Sequence, residues 1–342
     1  MSRRKALVTG VAGFLGSNLL KRLLDEDFDV VGLDNLSMGH MANIRWAMDD
    51  SRFTFLEADA MEAAVFNTLP DGIDVAVHLA AFKIPRYGNA LDTLKINQQC
   101  TENVLDFCRA RNIKCVIAST SDAYGKNPAV PFSEEHTDSI IGSSKSPRWG
   151  YAVSKLYDEH LALAYQDAYG FPVTLLRFFG SYGPNQPLSW WGGPPPVFIE
   201  AVLAGDVIPI HGDGQQTRSF TYVTDTVNGI HAAMVRDEAN GEVLNIGNTE
   251  EITILELAHR VHDACLSSAE TTGVKPGNLN IEMVPYESFS SKKYEDVRRR
   301  VPDTTLSERL LGVKAQIPLS LGLERTVAWQ IGAMKDRDAG KR

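Results

Sequence analysis

Tyr151 and Lys155 stand four residues apart in YAVSK, a spacing that projects both side chains from one face of a helix. An unperturbed tyrosine titrates near pH ~10 and is a poor base at neutral pH. A neighbouring ammonium, helped by a positively charged ring, favours the phenolate and brings it into working range. Such a base removes a hydroxyl proton while hydride leaves the same carbon. Upstream, Thr120 ends the apolar run KCVIAST, and Ser121 and Asp122 follow it. The Thr120 hydroxyl is suited to hydrogen-bond the oxygen that Tyr151 deprotonates. Each feature also has a plain reading: a Y-x-x-x-K pair occurs on ordinary helix surfaces, and small hydroxyls after a strand often only form turns.

The N-terminal end supplies what a hydride acceptor needs. In TGVAGFLGS, Gly10 permits a tight turn, Gly13 lets the backbone approach a pyrophosphate, and Gly16 allows close helix–strand packing. The helix that follows offers free N–H groups and a partial positive charge to phosphates. Asp34 ends the second apolar run, at the distance expected of an acid that binds both ribose hydroxyls. A carboxylate there repels a 2′-phosphate, so NAD is favoured over NADP. The alternative for Asp34 is a turn residue in LDNLS. Asp59, after the third run, is within reach of an adenine amino group.

Elements that would position these groups are legible in the hydropathy pattern. Strand-like runs are KALVTG, FDVVGLD, the segment around RFTFLEA, DVAVHLA, KCVIAST and PVTLLRF, separated by helical patterns near 14–25, 91–111 and 151–169. Alternation of this kind predicts an α/β fold, a Rossmann doubly wound parallel sheet, with a smaller mixed α/β C-terminal substrate domain. The expected division is residues 1–180 for the cofactor and 181–335 for the substrate, with the chain crossing back around 220–250. The segment 183–196 (GPNQPLSWWGGPPP) predicts a structured loop without regular elements. Residues 136–147 predict a mobile loop before the Tyr151 helix. The tail KDRDAGKR is expected to fray.

With 342 residues, the chain can bury one large α/β core or a Rossmann unit plus a smaller one. A net charge of −9 argues against nucleic-acid or anionic-membrane partners, which need clustered Lys and Arg. MSRRKALVTG lacks the apolar run of a signal peptide, and no later stretch is long enough to span a bilayer. Cys100, Cys108, Cys115 and Cys265 have no metal or redox spacing and read as reduced core thiols, so a cytoplasmic protein without a metal is expected.

Taken together and in order, TGVAGFLGS, LDNLS, HLAAFK, STSDAYG, YAVSK, LLRFFGSYGP, GDGQQTRSFTYV, LNIGN and YEDVRRRVPD resemble the extended short-chain dehydrogenase/reductase family of NAD-dependent nucleotide-sugar epimerases and dehydratases. The resemblance implies that Asp34, Asn35 and Ser37 bind the adenosine side of NAD and that Lys83 approaches the cofactor. It adds Phe14, Leu15, Ala60, Leu79, Ala80, Ala81 and Asn97 to the cofactor contacts. Tyr151 and Lys155 would carry the base function, with Thr120 as hydroxyl partner and Ser121 and Asp122 beside it. For the substrate it implies Arg218 on the diphosphate, Arg300 as a second nucleotide contact, His211 stacked on the uracil, and contacts from Phe179 and Val197. A surface ion pair is the ordinary alternative for Arg218 and Arg300. Relatives commonly carry Asn where this chain has Gly180, which removes a polar contact. Helices 91–111 and 151–169 resemble the pair through which such proteins form homodimers.

Family members share oxidation at sugar C4 and differ afterwards. A 4,6-dehydratase resembles a site with an Asp–Glu pair after the threonine; Ser121 and Asp122 offer one carboxylate, which disfavours dehydration. UDP-glucuronate decarboxylases are similar in STSDAYG, SPRWGY and YEDVRRRVPD, but Asp122 is one methylene shorter than their Glu, and catalytic geometry tolerates little displacement. A 4-epimerase asks least: oxidation, rotation of the keto-sugar, and hydride return to the other face. A UDP-sugar 4-epimerase acting on UDP-glucose/galactose or the corresponding uronic acids is therefore expected first, with Arg86 and Arg148 as carboxylate partners for a uronic acid. The decarboxylase is the alternative. A non-catalytic NAD-sensing module predicts loss of Tyr151, Lys155 or Thr120, and all three are present.

Overall fold

The computed structural model describes residues 3–83, 90–288 and 295–339. The six apolar runs form β1 (Lys5–Thr9), β2 (Asp29–Asp34), β3 (Phe53–Glu57), β4 (Val75–His78), β5 (Lys114–Thr120) and β6 (Val173–Phe178). Most of their residues are buried, on both faces of the sheet, which is why they read as nearly unbroken apolar runs. The helices between them are α1 (Phe14–Asp25), α2 (Ala90–Arg111) and α3 (Gly150–Tyr169).

A strand that the hydropathy reading did not single out, Val243–Ile246, completes a seven-stranded parallel sheet in the order Val243–Ile246, β6, β5, β4, β1, β2, β3. Strand order reverses between β1 and β4, so a crevice opens at their carboxyl ends. Helices α2 and α3 pack together against the sheet, while α1 packs with a helix from the second half, α5 (Val223–Val235), once α4 (Pro194–Ala204) has been passed. The second half adds α6 (Ile254–Thr272), packed on α4 and on the helix Leu319–Asp338, with short strand pairs such as Ile208–His211 beside Ile281–Val284.

Three local expectations meet the structure here. The prolines that close 183–196 open α4 rather than extending a loop, because the first turn of a helix has no use for their missing N–H groups. Of the tail expected to fray, residues 335–338 are helical, and 340–342 lie outside the described residues. The segment expected to be a mobile loop is a loop, anchored at one residue by backbone bonds, Lys126 N–H to the Ile140 carbonyl at 2.8 Å and Ile140 N–H to that of Tyr124 at 3.2 Å. All four cysteines are free and buried. No helix among the described residues is long and apolar enough to cross a membrane.

Candidate active site

A cavity of about 1150 Å³ runs from the glycine turn to Arg300 along the carboxyl ends of the strands. It exceeds the ~300–1,000 Å³ of a pocket for one small ligand, as two ligands lying end to end require. At the cofactor end, Gly10 has φ +73°, and a Cβ there would lie 2.9 Å from the Ala80 nitrogen. A Cβ on Gly16 would meet the Gly10 carbonyl at 2.0 Å, so the α1 entry closes only around glycine. The Asp34 carboxylate is fixed at the tip of β2 by the Ala12 N–H (2.9 Å) and the Leu36 N–H (2.8 Å). Burial pushes its pKa up, and those N–H groups oppose the shift. Asn35 donates to Asp59 at 3.0 Å and accepts from the Ser37 hydroxyl at 2.7 Å, joining the three into one polar patch. Phe14, Leu15, Ala60, Leu79, Ala80, Ala81 and Lys83 line the same cavity. This cradle, closed to any Cβ and ended by an acid, fits a dinucleotide with free ribose hydroxyls.

Two expected contacts fall elsewhere. Asn97 does not reach the cavity wall: it accepts from Phe82 N–H at 2.7 Å and donates to Ser154 Oγ at 2.9 Å, tying the loop after β4 to α3. Val197 sits on α4 and packs into the core, while its neighbours Pro194, Pro195 and Phe198 line the wall. Arg86 lies outside the described residues.

At the chemical end, Thr120 closes β5 and Tyr151 lies in the first turn of α3, both on the cavity wall. Burial, then Asp122 and Asp158, push the Tyr151 phenol above its usual range, and the nearby Thr120 hydroxyl opposes them. The ammonium expected to lower Tyr151 is committed elsewhere. Lys155 Nζ lies 3.1 Å from Asp158 Oδ2, and both side chains are 1% exposed. Asp158 is a neighbour of this pair that the sequence reading did not single out, although its position three residues after Lys155 is a standard helix pairing.

Ser121 and Asp122 form the turn after β5. Asp122 Oδ1 accepts from Arg300 Nη2 at 2.8 Å and Arg148 Nη2 at 3.0 Å. Burial opposes its ionisation, yet Arg300, Arg148 and Lys83 outweigh burial and hold the carboxyl well below the usual range. Lys83 donates to the Trp191 carbonyl at 3.4 Å, and burial pushes its own pKa down. Arg300 Nε is buried without an acceptor. Arg148 and Arg300 are therefore cavity groups rather than surface ion pairs.

Arg218 also lines the cavity, donating to the Val297 carbonyl at 2.8 Å and to Asp296 at 3.2 Å, while Tyr286 donates to the other Asp296 oxygen at 2.5 Å. His211 does not present an open ring: Trp190 stacks on it with centroids 4.4 Å apart. Trp191 meets Phe82 edge-on at 6.0 Å. Phe179 is buried beside Tyr124 and Phe132 and lines the cavity. Gly180 has φ +52°, and a Cβ would lie 2.0 Å from the Ser219 carbonyl oxygen. The missing asparagine thus has a backbone cause.

Fold and cradle define a dinucleotide-dependent enzyme of the Rossmann class. The family model for the NAD dependent epimerase/dehydratase family matches residues 6–247, and the chain belongs to that family, with NAD as its cofactor. It is 32% identical over 332 residues to the UDP-N-acetyl-alpha-D-glucosaminuronate decarboxylase of Bacillus cytotoxicus, covering 96% of this chain and 98% of that one. It is 30% identical to the UDP-glucuronic acid decarboxylase 1 of Xenopus tropicalis, covering 95% and 72%. Among solved structures it resembles the UDP-glucuronic acid 4-epimerase of Bacillus cereus in complex with UDP-glucuronic acid and NAD, with TM-score 0.80, 30% identity, and 96% and 99% of the two chains covered.

Proposed function

We propose that the chain acts on a UDP-hexuronic acid, oxidising it at C4 and returning hydride to the opposite face as a 4-epimerase. The observation that carries the substrate class is the charge cluster at the inner end of the cavity: Lys83, Arg148 and Arg300 surround the single carboxylate of Asp122, and Arg300 Nε lacks an acceptor. A guanidinium nitrogen buried in this wall without an acceptor calls for an anionic group on the ligand. Under this reading residues 1–180 hold the cofactor, and 181–335 hold the nucleotide-sugar apart from the stretch that returns to the sheet.

Bound NAD supplies the hydride acceptor. Asp34 fixes the adenosine end, and Tyr151 takes the C4 hydroxyl proton with Thr120 bonded to the same oxygen. Arg218 is placed for the diphosphate, and Trp190, backed by His211, for the base. Asp122 favours re-reduction over carboxylate loss. Held ionised by two guanidinium groups, it is a poor proton donor to the carbanion that loss of carbon dioxide would create.

Decarboxylation is the second reading, supported by similarity to enzymes named for it, over 98% of one relative and 72% of the other. Incubation with UDP-glucuronate and with UDP-glucose separates these readings. An axial/equatorial mixture at C4 of unchanged mass is the expected result. Release of carbon dioxide replaces it with the second reading, and turnover of UDP-glucose alone overturns the uronic acid assignment.

A further inference from the structure

Two consecutive tryptophans, Trp190 and Trp191, wall the cavity from one loop, residues 183–193. Trp190 lies over His211 with centroids 4.4 Å apart and meets Phe198 of α4 edge-on at 6.4 Å. Trp191 instead meets Phe82 edge-on at 6.0 Å, and its carbonyl accepts from Lys83. The loop thus borders both the end of the cavity suited to a base and the end that holds Lys83. Gln186 closes the loop from within and is 4% exposed. Its Oε1 accepts from the Gly183 N–H at 3.3 Å; its Nε2 donates to the Ser181 carbonyl at 3.3 Å and to the Gly192 carbonyl at 2.5 Å. The same loop is tied to the cofactor helix. Asn18 on α1 donates to the Pro184 carbonyl at 3.0 Å, and Asn185 donates to Ser17 Oγ at 3.0 Å.

We propose that Gln186 is a positioning residue whose amide braces this loop at both ends, so that Trp190 and Trp191 stand at a fixed separation before a ligand arrives. The pair then selects a ligand long enough to reach both walls, a nucleoside diphosphate-sugar rather than a nucleotide alone. The proposal rests on the nucleotide-sugar reading of the cavity. A loop rich in Gly and Pro has no ladder to hold it, and its buried backbone groups must find partners elsewhere. One primary amide offers an acceptor and two donors, the set that the Gly183 N–H and two carbonyls require. Walls held beforehand take the ordering cost out of binding. Without the brace, only molecules with the loop in place are competent, and the apparent dissociation constant rises in proportion. Trp190 keeps its own stacking on His211 and Phe198, so the loss falls mainly on the Trp191 wall. The far side of the brace is equally tight. A Cβ on Gly192 would lie 2.3 Å from the Pro187 carbonyl oxygen, so a side chain there forces the loop open against the Gln186 bond.

Calorimetric titration of NAD-loaded protein with UDP and with UDP-glucuronate tests this, in a Tyr151→Phe background where turnover is slow. Gln186→Met keeps the volume and removes every bond of the amide. It should weaken UDP-glucuronate by at least about tenfold, and UDP, which reaches the Trp190 end alone, by less. NAD affinity should be unchanged, whereas a general loss of structure would lower all three affinities together. Should that variant not fold, Gln186→Glu keeps the shape without the donor to Gly192, and Gly192→Ala strains the loop from the other side. Both should show the same pattern. Unchanged UDP-glucuronate affinity in folded Gln186→Met protein overturns the proposal, and so does wild-type affinity in Gln186→Glu. An equal loss for UDP and UDP-glucuronate also overturns it, because Gln186 would then serve the base end alone. Failure of the parent protein to bind UDP would instead sink the nucleotide-sugar reading itself.

Discussion

A side chain on Gly180 would be forced into the left-handed region and against the Ser219 carbonyl, and the Thr221 N–H bonded to the Gly180 carbonyl at 3.1 Å holds the turn in place. Gly180→Asn should therefore cost at least about 2 kcal/mol, read as a lowered melting temperature, without restoring a substrate contact. Tyr151→Phe should lower kcat by about 10²–10⁴-fold with NAD binding retained, measured by turnover and by fluorescence titration of the cofactor. Residues whose roles depend on local spacing were readable from the chain: the glycine turn, Asp34 at a strand end, Tyr151 four before Lys155. Roles set by distant partners were not. Asp122 meets Arg300 from the far end of the sequence, and Trp190 covers His211 from another loop.

Among elements, α2 and α3 present Leu91, Leu94, Val153 and Tyr157 to solvent, although each helix already packs on the other and on the sheet. We propose that a second copy covers this face through the same two helices. Leu94→Lys/Tyr157→Lys should convert a dimer into a monomer in size-exclusion chromatography with scattering detection; an unchanged mass would sink the pairing. At the start of α6, Thr253 Oγ1 accepts from Glu256 N–H at 2.9 Å, and Thr253→Ala should cost about 1 kcal/mol in chemical unfolding. Six strands and three helices were legible because a doubly covered parallel sheet writes itself as apolar runs. Val243–Ile246 has a buried polar residue, Asn245, in its middle, which breaks the apolar run.

For the molecule as a whole, one acid-sensitive point is His78, locked between Thr9 Oγ1 at 2.8 Å and Thr101 Oγ1 at 3.3 Å. Burial first, then Lys155, hold its pKa down to about 3. Between its ordinary value of 6.5 and about 3 the unfolded chain binds a proton that the folded chain does not. Its contribution is thus complete above the upper value and lost on acidification, by up to about 1.4 kcal/mol per pH unit. Urea unfolding at neutral and mildly acid pH should show this slope, and His78→Gln should flatten it. An equal slope in the variant would assign the acid sensitivity to other groups.

The strand Val243–Ile246 also sets a timetable. A ribosome delivers the glycine turn, Asp34 and Tyr151 long before it delivers the strand that borders β6 and the helix α5 that covers α1. Until then β6 is a bare edge, with unpaired backbone groups open to another chain. A nascent or truncated product ending near residue 180 thus carries nearly every cofactor contact and still lacks a closed sheet, which makes it a candidate for chaperone capture rather than a free-standing NAD-binding module.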